Sequence, residues 1–238
     1  MKKTAILQSN YIPWKGYFDI IALADEFIIY DDVQYTKRDW RNRNIIKTFQ
    51  GPQWLTIPIL SETTESLKNT RPKINQIKVS NKLWAKKHWE TIRRNYTKAP
   101  YFAKYKNHFE NIYKELSEYV YLSEINLRLI KEINKILGIN TQISNSSDYN
   151  LKEGKTEKLL QLCIDSGAAE YVSGPAAKKY IDEKLFREAE ISLIWMDYEG
   201  YPEYKQLNPP FIHKVSILDL IFNEGDNAPK FMKFVIDE

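Results

Sequence analysis

Near the amino terminus, Gln8-Ser9-Asn10-Tyr11-Ile12-Pro13-Trp14-Lys15-Gly16-Tyr17 gathers amides, a hydroxyl, phenols, an indole and an ammonium into one short run. Gly16 would let a ligand approach the backbone, and a helix starting there would favour negative charge through its free N–H groups. Gln8, Tyr11 and Lys15 are candidates to orient a reacting group. The same residues also describe a structural turn in which Trp14 and Tyr17 fill the core. A second run, Asp31-Asp32-Val33-Gln34-Tyr35, leads directly into Lys37, Arg38, Trp40, Arg41, Asn42, Arg43 and Asn44. Neighbouring residues on an extended chain face opposite sides, so Asp31 and Asp32 are not expected to act as a pair on one atom. One of them is suited to be a general base, to hold a ribose hydroxyl or to bind Mg²⁺. A salt bridge to Arg41 or Arg43 is the plain alternative. Cations around Trp40 suit phosphate or carboxylate, because guanidinium groups pair bidentately with both and stack on rings. Gln34, Tyr35 and Asn42 fall in the same stretch and join the binding candidates.

Two later segments supply further candidates. In Tyr171-Val172-Ser173-Gly174-Pro175 a strand meets a helix start, where Ser173 and Gly174 offer a turn of free N–H groups for an anion and Pro175 suits the first turn. A well-capped helix without a ligand has the same sequence. Asp197-Tyr198 and Tyr201-Pro202-Glu203-Tyr204-Lys205-Gln206 follow the last expected strand, so Tyr204 and Gln206 either reach the same crevice or belong to a surface loop.

The elements that position these groups read as α/β. Strand Thr4–Leu7, helix Lys15–Ala24 and strand Phe27–Tyr30 form a βαβ unit with a parallel pair, in which ligands gather at the carboxyl ends of the strands. A third strand is expected over Trp54–Ile59, and residues 61–80 read as a loop with one short strand. Between Lys82 and Leu137 apolar residues recur at helical spacing and Gly138 is placed to end the last helix. The α/β rhythm then returns: a helix over Glu157–Asp165, a strand at Glu170–Val172, a helix from Pro175, and a last buried strand at Ile191–Met196. Ser216 and Asp219 look like a capping box, with Gly225 ending its helix. The expected organisation is one domain over 1–238, with a Rossmann-like parallel-sheet core in 1–80 and 140–238 and a helical layer or insert at 81–139.

Bulk composition narrows the function classes. Aromatic residues make up 13% of the chain, including sixteen Tyr and six Trp, whose polar handles suit sites that meet sugars or bases. A net charge of +4 is too mild for wholesale nucleic-acid binding. The single Cys163 cannot form an internal disulfide, there is no signal-peptide pattern and no run of about 18 apolar residues, so a cytoplasmic protein without membrane insertion is expected. Three scattered histidines and one cysteine leave no transition-metal site. Cys163 lies on an apolar helix face and reads as core. No G-x-G-x-x-G, Walker-type phosphate loop or G-x-S-x-G elbow is present.

The segments Ile6–Phe18, Ala24-Asp25, Asp31–Tyr35, Trp40–Asn44, Trp54–Pro58, Tyr171–Pro175 and Ser216–Leu220, in that order, resemble the WbqC-like family over nearly the whole chain. Here Ser9 and Asn10 stand between Gln8 and Tyr11, where the family tends to place Pro directly after the Gln. The resemblance implies a bacterial protein of O-antigen and other surface-glycan (lipopolysaccharide) gene clusters. A fainter likeness joins Trp14–Tyr17 and Ser173–Pro175 to the HUP-type nucleotidyltransferases, without their two histidines.

On these grounds the expected function is a group transferase, adding an acyl or aminoacyl group to an amino sugar or nucleotide-linked sugar. The donor would come from an acyl carrier protein or a coenzyme A thioester. Asp31 or Asp32 would act as base, Arg41, Arg43, Ser173 and Gly174 would hold phosphate, and Trp14 and Trp40 would stack on rings. Two alternatives remain: Mg²⁺-dependent nucleotidyl transfer, in which Lys15 and an Arg replace the missing histidines, and a non-catalytic partner of glycan enzymes that binds the ligand without turnover.

Overall fold

In the computed structural model, which describes residues 1–60 and 72–235, five short strands form one parallel sheet. They are β1 (Lys3–Leu7), β2 (Glu26–Ile29), β5 (Gln142–Asn145), β6 (Glu170–Ser173) and β7 (Ser192–Trp195), in the spatial order β5-β2-β1-β6-β7. β1 pairs with β2 from Thr4↔Glu26 to Leu7↔Ile29 and, on its other side, with β6 from Lys3↔Glu170 to Ala5↔Val172. The chain winds outward from β1 through β2 to β5, then crosses back to start again at β6. The fold is a Rossmann-like α/β sheet, and the winding reverses between β1 and β6. That is where the connections leave in opposite directions and a crevice opens.

The three inner strands β1, β2 and β6 carry apolar residues on both faces because both are covered. Ala5, Phe27, Ile29 and Val172 belong to the larger core, with α1 (Lys15–Leu23), α2 (Leu83–Tyr96), α3 (Phe102–Leu116), α4 (Leu122–Ile136) and α7 (Ile217–Glu224). Ile6, Ile28 and Tyr171, one residue out of step, belong to the smaller core with Leu159, Leu162 and Cys163 of α5 (Thr156–Asp165) and Phe186 of α6 (Glu183–Glu188). Cys163 is fully buried, and burial pushes its thiol well above the ordinary value, which suits packing and not nucleophilic chemistry.

The helices between Leu83 and Ile136 are tied to the rest through Phe222 on α7, whose ring lies 5.3 Å from Tyr96, 5.2 Å from Phe102 and 5.4 Å from Phe109. On the same helix, buried Asp219 accepts hydrogen bonds from Tyr96 Oη at 2.9 Å and Tyr204 Oη at 2.8 Å. Asp219 therefore does not complete a capping box; Ser216 alone caps α7, accepting from Leu218 N.

Several elements differ from the sequence expectation. Arg43–Thr48 forms a strand, β3, antiparallel to β4 (Gly51–Thr56), so the third strand expected over Trp54–Ile59 starts earlier and belongs to a separate hairpin. The third parallel strand is the four-residue β5, whose Gln-Ile-Ser-Asn carries too little apolar signal to announce itself. Pro175 opens a 3₁₀ turn and not an α-helix, and β7 is a half-exposed edge strand. Of the loop read over 61–80, residues 61–71 lie outside the described residues; the remainder holds a 3₁₀ turn, Ile74–Gln76, and isolated bridges.

Because Phe222 packs α7 against both α2 and α3, Phe222→Ala is expected to cost about 3–5 kcal/mol of stability, read from urea denaturation. A loss below about 1 kcal/mol would mean that the helical layer is held elsewhere.

Candidate functional site

The loop after β1 is fixed from beneath. Tyr11 is fully buried, its Oη 2.8 Å from His88 Nδ1 and 2.9 Å from Tyr113 Oη. His88 Nε2 lies 3.2 Å from the Thr56 carbonyl, which can only accept, so Nε2 carries the proton, Nδ1 accepts from Tyr11, and Tyr113 donates to Tyr11. Burial lowers the His88 pKa to about 4, so the ring is neutral, and raises the Tyr11 phenol well above its ordinary value. The buried Asn44 amide donates to the carbonyls of both Tyr11 and Ile12 at 3.0 Å and holds the turn in which Ile12 takes φ 36°. Gly16 has a different reason from the one expected. A β-carbon there would overlap the Trp14 indole, so the glycine makes room for Trp14 and not for a ligand.

The two aspartates after β2 part company. Asp31 is 4% exposed; its Oδ1 accepts from Ser9 N at 2.8 Å, and its Oδ2 is buried without a partner among the described residues. Burial raises its pKa, against the opposing pull of Ser9 and Arg41. Asp32 points elsewhere, receiving Ser146 Oγ at 2.8 Å, Asn75 Nδ2 at 3.1 Å and Lys73 Nζ at 3.3 Å. Only Asp32 reaches the main crevice. Both aspartates line a smaller pocket of about 330 Å³ with Asn75, Glu124 and Ser146.

That crevice, about 960 Å³, opens at the β1/β6 switch point. Gln8 and Asn10 enter it from the end of β1, Asp32 and Gln34 from beyond β2, and Ser173 and Gly174 from the end of β6. Arg41 joins them with its side chain 13% exposed and its Nε buried without a partner among the described residues; Asp39 lies 3.4 Å from Nη2. Three cations that the sequence reading did not single out complete the wall: Lys73, Lys155 and Lys158. Lys155 and Lys158 stand at the start of α5, just after Gly154 at φ +96°. A signal for them existed, since Gly154-Lys155-Thr156 at a helix start after a strand resembles the end of a phosphate loop without its upstream glycine.

Several expected site residues are elsewhere. Lys15 is 3% exposed, donates to the Pro202 carbonyl at 3.1 Å and lies over the Tyr201 ring at 4.7 Å, outside the crevice. Burial lowers its pKa to about 8, against the pull of Asp19 and Glu203. Arg43 stacks on Trp54 at 4.2 Å and donates to the Arg38 carbonyl. Tyr35 donates to Asn42 Oδ1 at 2.9 Å, and Asn42 donates to the Ile57 carbonyl at 2.9 Å, so both brace the loop. Tyr204 is committed to Asp219, and Gln206 accepts from Lys47 Nζ at 2.6 Å and from Ile212 N at 2.8 Å. Tyr11, as above, is core. Trp14 and Trp40 line a separate pocket of about 280 Å³ with Asn10, Pro13, Asn44 and Lys214.

Among the described residues no group of three or more His, Cys, Asp or Glu is placed to hold a metal ion, and no helix is long and apolar enough to cross a membrane. What the crevice does offer is an anion cradle: a nearly buried guanidinium with an unused N–H, two lysines at a helix start, and an aspartate within the same space.

The family model described as the WbqC-like protein family matches residues 8–231. A Mycobacterium tuberculosis (strain ATCC 25618 / H37Rv) protein, "Uncharacterized protein Rv1507c", is 50% identical over 234 residues, covering 98% of this chain and 99% of that protein. No solved structure matches the chain.

The state of Asp31 gives a pH test. Its folded pKa stands above the ordinary 3.8, so between those two values the native state binds more protons than the unfolded chain, and stability falls as pH rises through that window. Asp31→Asn is expected to remove this slope. The stability of the variant relative to the parent, from urea titrations, should rise as pH increases from about 4. A difference independent of pH would show that Asp31 is not held as described.

Proposed function

The chain belongs to the WbqC-like protein family, and from that premise we propose that it is a group transferase acting on a nucleotide-linked or otherwise phosphorylated sugar. The transfer is of an acyl or aminoacyl group to an amino sugar in bacterial surface-glycan synthesis. The observation that carries this proposal is the anion cradle at the switch point, where Arg41 leaves a buried N–H unused and Lys155 and Lys158 face the same space. A phosphate group answers that arrangement, because it accepts bidentate guanidinium bonds and draws on the helix start.

The chemistry follows from what stands beside the cradle. The sugar amine attacks the carbonyl of a thioester carried by coenzyme A or an acyl carrier protein, the C–S bond breaks, and the sulfur leaves as a thiolate, which takes up the amine's proton by way of a carboxylate. The proton lost by the amine passes to a carboxylate, and Asp32 is the one that reaches the crevice. Lys73, Asn75 and Ser146 hold that carboxylate in place. Gln8, Gln34 and Ser173 supply neutral hydrogen-bonding groups that orient hydroxyls and amides.

A binding screen tests the cradle first. Uridine diphosphate, ATP and coenzyme A are each titrated against the parent protein and against Lys155→Ala/Lys158→Ala and Arg41→Ala, with thermal unfolding as readout. One class of phosphate ligand is expected to stabilise the parent, by about 2.7 kcal/mol at a hundred times its Kd, and to lose most of that effect in both variants. No stabilisation by any of the three would remove the proposal. Once a donor and acceptor are found, Asp32→Asn is expected to keep binding while turnover drops on the order of 10²–10⁴-fold. Unchanged turnover in that variant would exclude Asp32 as the base.

A further inference from the structure

The pocket between Trp14 and Trp40 is a second space that shares one lining residue, Asn10, with the crevice. At about 280 Å³ it is just below the range of about 300–1,000 Å³ usual for drug-sized ligands, which limits it to a single-ring group. Trp54 packs against Trp40 with ring centroids 5.3 Å apart and planes 33° apart, and Arg43 lies over Trp54, so Trp40 is braced from behind although 40% exposed. Trp14 is fixed by edge contacts to Tyr198 at 5.2 Å and Tyr201 at 5.7 Å. The indoles are therefore rigid before any ligand arrives.

The polar groups of this pocket divide sharply. The Asn44 amide is spent on Tyr11, Ile12 and Ile45. The Asn10 side chain has no partner among the described residues, with its Oδ1 buried, and Lys214 forms no ion pair among them. An unused amide, a donor and an acceptor together, that lines both cavities suits neighbouring hydroxyls, each of which donates and accepts. Apolar ring faces beside it suit the C–H face of a saturated ring.

We propose that the Trp14–Trp40 pocket holds the pyranose ring of the substrate, with Asn10, which lines both spaces, hydrogen-bonding its hydroxyls next to the phosphate crevice. This rests on the function proposed above for the crevice itself. It divides one ligand between two spaces: charge on the lysine and arginine side, sugar on the indole side.

The test uses uridine diphosphate, uridine diphosphate N-acetylglucosamine and methyl N-acetylglucosaminide on the full chain, by calorimetry and saturation-transfer NMR. Trp40→Ala and Asn10→Ala are the variants, because one ring is half-exposed and the other side chain holds no protein bond. The sugar nucleotide is expected to bind the parent about tenfold more tightly than the diphosphate alone; both variants are expected to lose that gain, and Trp40→Ala, outside the crevice, to bind the diphosphate within about twofold of the parent. The methyl glycoside should give transfer in the parent and none in Trp40→Ala. Equal loss of both nucleotides in Trp40→Ala would put the base on the indoles and overturn the inference. So would a sugar nucleotide no tighter than the diphosphate together with a silent glycoside. If the diphosphate fails to bind at all, the phosphate reading of the crevice falls. The glycoside then decides the pocket alone: transfer lost in Trp40→Ala sustains it, and silence overturns it.

Discussion

The turn after β1 depends on one buried amide. Asn44 donates to two successive carbonyls, Tyr11 and Ile12, that no strand or helix satisfies, and it does so from the second residue of β3, at the open end of the hairpin. Leaving buried carbonyls unpaired would cost on the order of 1–3 kcal/mol each, so the hairpin and the turn are energetically one unit. Tyr11 extends the unit downward through His88 and Tyr113 into the helical layer. Asn126 extends it sideways, donating to Ser9 Oγ at 3.0 Å and to the Arg41 carbonyl at 2.8 Å. Arg41, Ser9, Asn10 and Trp14 owe their positions to this network, and the crevice and the indole pocket share Asn10 as a lining residue.

The helical layer therefore has a role in the site without lining the main crevice. Trp84, His88 and Trp89 on α2, Tyr113 on α3 and Asn126 on α4 form the floor beneath the first loop. Part of this polar floor pairs internally, through a neutral His88 that both donates and accepts and a Tyr11–Tyr113 pair, whereas Trp84 Nε1, Trp89 Nε1 and Asn126 Oδ1 are buried without a partner among the described residues. Burial holds the phenols protonated and the imidazole uncharged, so no buried charge has to be compensated there.

The second buried polar system, around Asp219, is structural. Its carboxylate collects the hydroxyls of Tyr96 and Tyr204, while Gln206 receives Lys47 and Ile212 N. Tyr204 and Gln206 lie beyond the carboxyl end of the last strand, the region where ligand-binding groups are expected, yet they turn inward and lock the 201–212 loop onto the hairpin. Proximity in sequence to a strand end is thus a weak guide, because a loop of that length can fold over the end instead of lining it.

By itself the sequence determined the α/β class, the βαβ opening, the helices between Lys82 and Leu137, and the burial of Cys163, since each of these is written in apolar periodicity. Alternation along an extended chain also set Asp31 and Asp32 apart, and they take different hydrogen-bond partners, although both line the smaller pocket. Only the tertiary structure decided which of the two meets the crevice, because that depends on Ser9 N and Ser146 reaching them from distant strands. It also decided that Lys155 and Lys158 join Arg41, that Arg43 stacks on Trp54, and that Lys15 is buried under Tyr201. Periodicity reports which face of an element is apolar. It carries no record of which polar groups, far apart in the chain, are brought together where the sheet changes direction.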